Sequence, residues 1–232
     1  HKAQYQMQGA QFVDLEKAAN GKPVVSFANA DYLGVSKNSD VVRAARKAVK
    51  RYGVGKGGGR RQTGECEIYG KVERQIAQRK HVDAALLLAD AFGADGAVIR
   101  HLFGEKDLVL CDEAASAALR CGCQSAKAEL QFYPHGDMPA LEALLRAAQG
   151  KYEKVLIAAE GVCLQYGDLC PLEELVRLKG KYRCWLLLDG SHSDGVLGAS
   201  GGGIEELLGI PGPAIEIRTG SLCGAFGANG GY

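Results

Sequence analysis

The sequence predicts an α/β domain of three layers, with helices on both faces of a mostly parallel β-sheet. Three observations carry this. Apolar runs of strand length recur from residue 107 onward, and amphipathic stretches of helix length alternate with them. Several of the runs, including Val155 to Ala159 and Trp185 to Leu188, are apolar without alternation, as strands covered on both faces must be.

Taken in order, Val24 to Phe27 reads as a short strand. Residues 40–51 read as a helix with Val41, Ala44, Ala45 and Ala48 on one face and Arg43, Lys47 and Lys50 on the other. A glycine-rich stretch follows, then an amphipathic helix over 69–80. Beyond it the spacing predicts strands at 107–111, 129–132, 154–159, 184–189 and 215–218. Helices are predicted near 91–101, 115–122, 138–148, 171–179 and 203–208. The expected division is an N-terminal arm and first strand over 1–35 and a large domain over 36–232.

Composition narrows the function. With 28 Lys plus Arg against 27 Asp plus Glu, the net charge of +1 provides no field to draw in nucleic acid or an anionic bilayer. No basic cluster of convincing length offsets this. The 47% apolar share excludes disorder, and 32 Gly without a repeating triplet exclude collagen and call for many tight turns. No apolar run reaches the roughly 18 residues that a membrane-spanning helix needs. The chain begins at His1, so an upstream segment is expected to have been removed, and membrane attachment would come only through segments outside these residues or through partners.

The eight Cys fall mostly inside strand-like runs such as Val109-Leu110-Cys111 and Arg183-Cys184-Trp185, where a reduced Cys serves as a small hydrophobe. The Cys121/Cys123 pair lacks the C-x2-4-C spacing and second cluster of a zinc site, so no metal is expected.

In a parallel sheet, ligands bind beyond the carboxyl ends of the strands. The residues there are Asp112 and Glu113, His135 to Asp137, Glu160, Asp189 to His192, and Gly220 to Phe226. Each acidic one has an alternative use as a helix cap or turn residue. Gly53, Gly55 and Gly58 spell G-x-G-x-x-G, but they follow a helix, whereas a dinucleotide fingerprint follows a strand and opens a helix. No P-loop and no G-x-S-x-G occurs, and no Ser or Cys has an obvious His partner.

Ordered blocks then point to one family. Ser26 to Gly34 resembles an "NFASNNYLG" opening, and Tyr52-Gly53-Val54-Gly55 with Gly57, Gly58 and Arg60 resembles a "YGxGxxGxR" loop. His135 to Met138 resembles "HNDM"; Glu160-Gly161-Val162 with Gly167-Asp168 and Pro171-Leu172 resembles "EGVYSMDGDxxPL". Asp189 to Ser193 with Gly195 to Gly198 and Gly201 to Gly203 resembles "DDAHSxGVLGxxGxG". These are the blocks of the α-oxoamine synthases, fold-type I pyridoxal phosphate enzymes that condense an amino acid with an acyl-CoA. The resemblance implies the large domain of the aminotransferase-like fold, with the family's smaller C-terminal domain not among these 232 residues.

Resemblance also assigns roles. Asp189 falls on the Asp that pairs with the cofactor's pyridinium, and His192 on the His that contacts its oxygen. Ala91 and Phe92 fall in the phosphate loop, and Ser221 in the "GTLSKAFGxxGGY" block. That block carries the Schiff-base Lys, and the Lys position here is Gly224. No Lys occurs after Lys181, so a small slip in alignment restores nothing. No catalytic residue is therefore expected in this chain, and the cofactor residues are read as vestigial. Further departures agree: Ser116 replaces the stacking His, Asp90 opens the phosphate loop with a carboxylate, and Leu164 replaces the Ser of "SMDGD".

These departures resemble the non-catalytic first long-chain-base subunit of serine palmitoyltransferase. That implies a subunit without a covalent cofactor, supporting a lysine-bearing homologue that condenses serine with palmitoyl-CoA to 3-ketosphinganine at the cytosolic face of the endoplasmic reticulum. The pyridoxal phosphate would belong to the complex, with Gly57, Gly58 and Arg60 forming a wall of the partner's site. The alternatives are an active homodimeric synthase and a regulatory scaffold without a site contribution. The glycines also serve simply as turn residues, and Asp189 and His192 as a cap and a carbonyl-bonded side chain.

Overall fold

The computed structural model describes residues 30–55 and 57–232, together with the backbone of two short strands nearer the N terminus. The strand expected at 24–27 and the opening block from Ser26 to Asn29 lie outside the described residues. The chain divides into two compact units, 1–56 with 223–228 and 57–222 with 229–232.

In the first unit, β1 (Tyr5–Gln8) pairs antiparallel with β2 (Gln11–Asp14). Helix α1 (Ser39–Tyr52) starts where Asn38 accepts from the Asp40 N–H at 2.9 Å, and it stops at Gly53. Its apolar side, with Val41, Val42, Ala45 and Val49, lines a groove of about 460 Å³ with Ser36 and Gly227.

The second unit holds β3 (Leu108–Asp112), β4 (Glu129–Tyr133), β5 (Val155–Glu160), β6 (Trp185–Asp189) and β7 (Ile217–Thr219). All five run parallel, in the order β4-β3-β5-β6-β7. Its helices are α2 (Glu67–Lys80), α3 (Ala91–Leu102), α4 (Ala117–Gln124), α5 (Met138–Ala148), α6 (Leu172–Tyr182) and α7 (Ile204–Leu208). Every element expected from residue 40 onward is present, with ends moved by up to three residues.

The period of two along each strand builds the layers. Leu108, Leu110, Ile157, Ala159, Leu186 and Leu188 point to one face, where Leu141 and Leu145 of α5 and Leu172, Leu175 and Leu178 of α6 cover them. Val109, Cys111, Leu156, Ala158 and Leu187 point to the other, covered by Ile99 and Phe103 near α3 and by Leu119 and Cys123 of α4. Fully burying one such side chain is worth about 1.5–3 kcal/mol, and two such cores account for an uninterrupted apolar pattern. All eight Cys are free thiols, and five are buried in the way their apolar settings predict.

The glycine-rich loop closes on itself. Residues Arg60–Gly64 form one wide turn in which the Gly59 carbonyl accepts from the N–H groups of Gln62, Thr63 and Gly64. A Cβ on Gly64 would lie 1.8 Å from the Gly58 carbonyl oxygen, so glycine is required here by close approach.

Candidate functional site

The parallel register brings the carboxyl ends of three adjacent strands side by side. Glu160 is paired with Asp189 across β5 and β6, and Asp189 with Thr219 across β6 and β7. All three are buried. Asp189 accepts from the Ser191 N–H at 2.8 Å and the Ser191 hydroxyl at 2.6 Å, and Glu160 accepts from the Ser116 N–H at 3.0 Å. Burial first, and then the Asp95 charge, holds the Asp189 carboxyl well above the usual carboxylate range.

Asp95 is the residue that sequence reasoning passed over. It sits on α3, 1% exposed, and among the described residues neither of its oxygens completes a hydrogen bond, nor does the buried Thr219 hydroxyl. Burial pushes the Asp95 carboxyl up to about 6, with the Thr219 hydroxyl pulling down and the Glu160 charge pushing up. The available signal was an acid set between Ala94 and Gly96-Ala97-Val98-Ile99 on a helix that is apolar overall.

His192 is half-buried beyond Asp189, and desolvation lowers its pKa against the opposing pull of Glu160, which keeps the imidazole neutral at pH 7. Ser116, in the place of a stacking His, caps α4 by accepting from Leu119 N–H at 3.3 Å. Ala91 is the first residue of α3, Phe92 is 55% exposed, and Ser221 pairs antiparallel with Gly231. Leu164 is exposed.

Fitted against pyridoxal phosphate, the residues divide. A buried carboxylate with raised proton affinity at Asp189 suits a protonated ring nitrogen. The start of α3 does not suit a phosphate, because Asp90 accepts from the Gly93 N–H at 2.6 Å and so places its own carboxylate at that helix end. Position 224, in the first unit, supplies no amine. A Cβ there would meet the Ala30 carbonyl oxygen at 3.2 Å and the Tyr32 ring at 3.5 Å. The set as a whole does not fit a cofactor held through an imine and a phosphate cradle.

Arg60 is spent inside its own unit. Its guanidinium donates to Glu73 at 2.6 Å, to Glu65 at 3.0 and 3.1 Å and to the Leu87 carbonyl at 3.1 Å, and it lies over the Tyr69 ring. Gly57 and Gly58 lead into the turn that carries it.

His135 and Asp168, from two other blocks, meet beyond β3 and β4. His135 Nδ1 lies 2.9 Å from Asp112 and Nε2 lies 3.1 Å from Asp168. Desolvation lowers the His135 pKa, but the bonds to the two carboxylates outweigh it, and the net effect is a rise.

Among the described residues, no helix is long and apolar enough to cross a membrane. Comparison with known proteins agrees with the architecture. The chain is 38% identical over 213 residues to a putative 8-amino-7-oxononanoate synthase of Gloeobacter violaceus, covering 92% of this chain and 54% of that one. It is 35% identical to the 8-amino-7-oxononanoate synthase of Symbiobacterium thermophilum over the same shares. Among solved structures it superposes on a serine palmitoyltransferase of S. paucimobilis with TM-score 0.87 at 27% identity, covering 95% of this chain and 54% of that one. The serine palmitoyltransferase of Sphingomonas wittichii gives 0.86 at 25%, over 91% and 53%. The chain thus spans about half the length of the relatives it matches. The pattern of the family named aminotransferase class I and II matches residues 22–232, in accord with the three-layer fold and the parallel sheet, and the chain belongs to that family.

Proposed function

We propose that this chain is a non-catalytic subunit of an α-oxoamine synthase, and that a lysine-bearing homologue beside it forms the new carbon–carbon bond. What supports the reading is Gly224 where the resemblance expects the lysine, at a position where an added Cβ would already stand 3.2 Å from the Ala30 carbonyl oxygen and touch the Tyr32 ring. When bound in such enzymes, pyridoxal phosphate acts as an electron sink for the amino-acid carbanion. Here the cofactor would be anchored by the partner. Asp189 would remain as a buried acid that orients the Ser191 turn.

Within that class, serine palmitoyltransferase is the specific reading, with serine and palmitoyl-CoA as substrates of the complex at the cytosolic face of the endoplasmic reticulum. The departures at Ser116, Asp90, Leu164 and Gly224 support it, as do solved neighbours of that name. The test is co-expression with a lysine-bearing homologue from the same source. Turnover of serine with palmitoyl-CoA should require both chains. Equal turnover by the homologue alone, or turnover by this chain alone, refutes the reading.

A second reading is favoured by the names of the sequence relatives: the complex would take the substrates of 8-amino-7-oxononanoate synthase. Assaying the same two-chain preparation for each product decides between them.

A further inference from the structure

We propose that His135, Cys163 and Asp168 form a binding site for a zinc-class divalent cation, an inference independent of the functional reading above. One ligand atom from each, an imidazole nitrogen of His135, the Cys163 Sγ and an Asp168 oxygen, lies within 4.8 Å of the others. An imidazole nitrogen, a thiolate and a carboxylate form a donor set suited to zinc, with a fourth position left for water.

The surroundings are arranged as metal sites require. Asp112 accepts from His135 Nδ1 at 2.9 Å and from the N–H groups of Ala114 and Gly136, which fixes the ring and turns the Nε2 lone pair toward Asp168. With Nδ1 carrying the proton, Nε2 and the Asp168 carboxylate 3.1 Å away are both acceptors, so a proton or a cation has to lie between them. Cys163 and Asp168 are held together by a tight loop: Val162 pairs with Leu169, the Cys163 N–H donates to the Asp168 carbonyl, and the Gly167 N–H donates to the Cys163 carbonyl. A small cavity of about 20 Å³, the size of one water or ion, lies beside the cluster, lined by Asp112, His135 and Cys163 but not by Asp168. The Tyr166 ring lies 5.0 Å from the imidazole and screens it.

Tetrahedral zinc needs ligand atoms about 3.3–3.6 Å apart. Asp168 already lies 3.1 Å from His135 Nε2, so the closure of roughly 1 Å is toward the buried Cys163 Sγ, and the His135 ring, 24% exposed, and Asp168, 55% exposed, are the groups with freedom to move. Binding displaces one proton from the thiol and any proton on Nε2, with no redox change. The cysteine spacing gave no hint of the site, because its ligands come from two separate blocks and only one of them is Cys.

The probe is Co2+, then Zn2+, added to the metal-free full chain. One equivalent of Co2+ should produce a thiolate-to-cobalt charge-transfer band with the visible bands of tetrahedral cobalt, and Zn2+ should bleach both. Cys163→Ser should abolish the charge-transfer band while the protein still melts cooperatively. Asp112→Asn should weaken binding by roughly 10- to 100-fold. If Cys163→Ser does not fold, His135→Gln read by Zn2+-dependent thermal shift takes its place. Absence of the band in the wild type, or its survival in Cys163→Ser, overturns the proposal.

Discussion

Asp95→Asn should change stability in a way that depends on pH. In the wild type the carboxyl ordinarily ionises at 3.8 and is pushed up to about 6 in the fold, chiefly by burial. A carboxyl whose proton affinity rises on folding contributes stability while protonated and loses it as pH climbs from the unfolded value through the folded one. At 1.36 kcal/mol per tenfold change in proton affinity, the ionised group costs about 3 kcal/mol at about pH 8 and about 1 kcal/mol at about pH 4.5. Asn avoids the charge but leaves its own amide without a partner, which costs about 1–3 kcal/mol at any pH. The variant should therefore be comparable to the wild type or up to about 2 kcal/mol more stable at about pH 8. The difference between the two proteins should fall by about 2 kcal/mol between about pH 8 and about pH 4.5. Urea unfolding followed by circular dichroism at both pH values measures it. A difference that stays flat with pH would show that Asp95 is not an unpaired buried acid.

Lys80→Met should cost about 3 kcal/mol or more, a fall in Tm of roughly 6–12 °C by thermal melting, because Lys80 joins buried Asp194 and Glu205 at 2.9 Å each. Arg218 keeps Glu205 paired and holds the loss near the lower end of the range; a change under about 1 kcal/mol would mean that the pair is solvated. Gly64→Ala should open the turn over Arg60–Gly64, read as faster hydrogen exchange at Gln62, Thr63 and Gly64, since the added Cβ collides with the Gly58 carbonyl. Gly224→Lys alone should yield no imine absorbance with pyridoxal phosphate, because the space for its stem is narrowed by Ala30 and Tyr32; a stable yellow complex would refute that closure.

The sequence by itself determined the layers and most of the elements. Runs such as Leu186-Leu187-Leu188 announce strands buried on both faces, and the helices between them show one apolar side each, because these patterns are local and repeat with the period of the backbone. It also located Asp189, Glu160 and His135 at strand ends, and the resemblance of the last block puts Gly224 where a Schiff-base lysine is expected. Only the tertiary structure decided which of these residues meet. Asp95 became an orphan through packing from another layer, Arg60 turned inward to Glu73, and Cys163 came within reach of His135 and Asp168. Such pairings depend on how elements far apart in the chain are stacked and registered, and no periodicity within one segment records that.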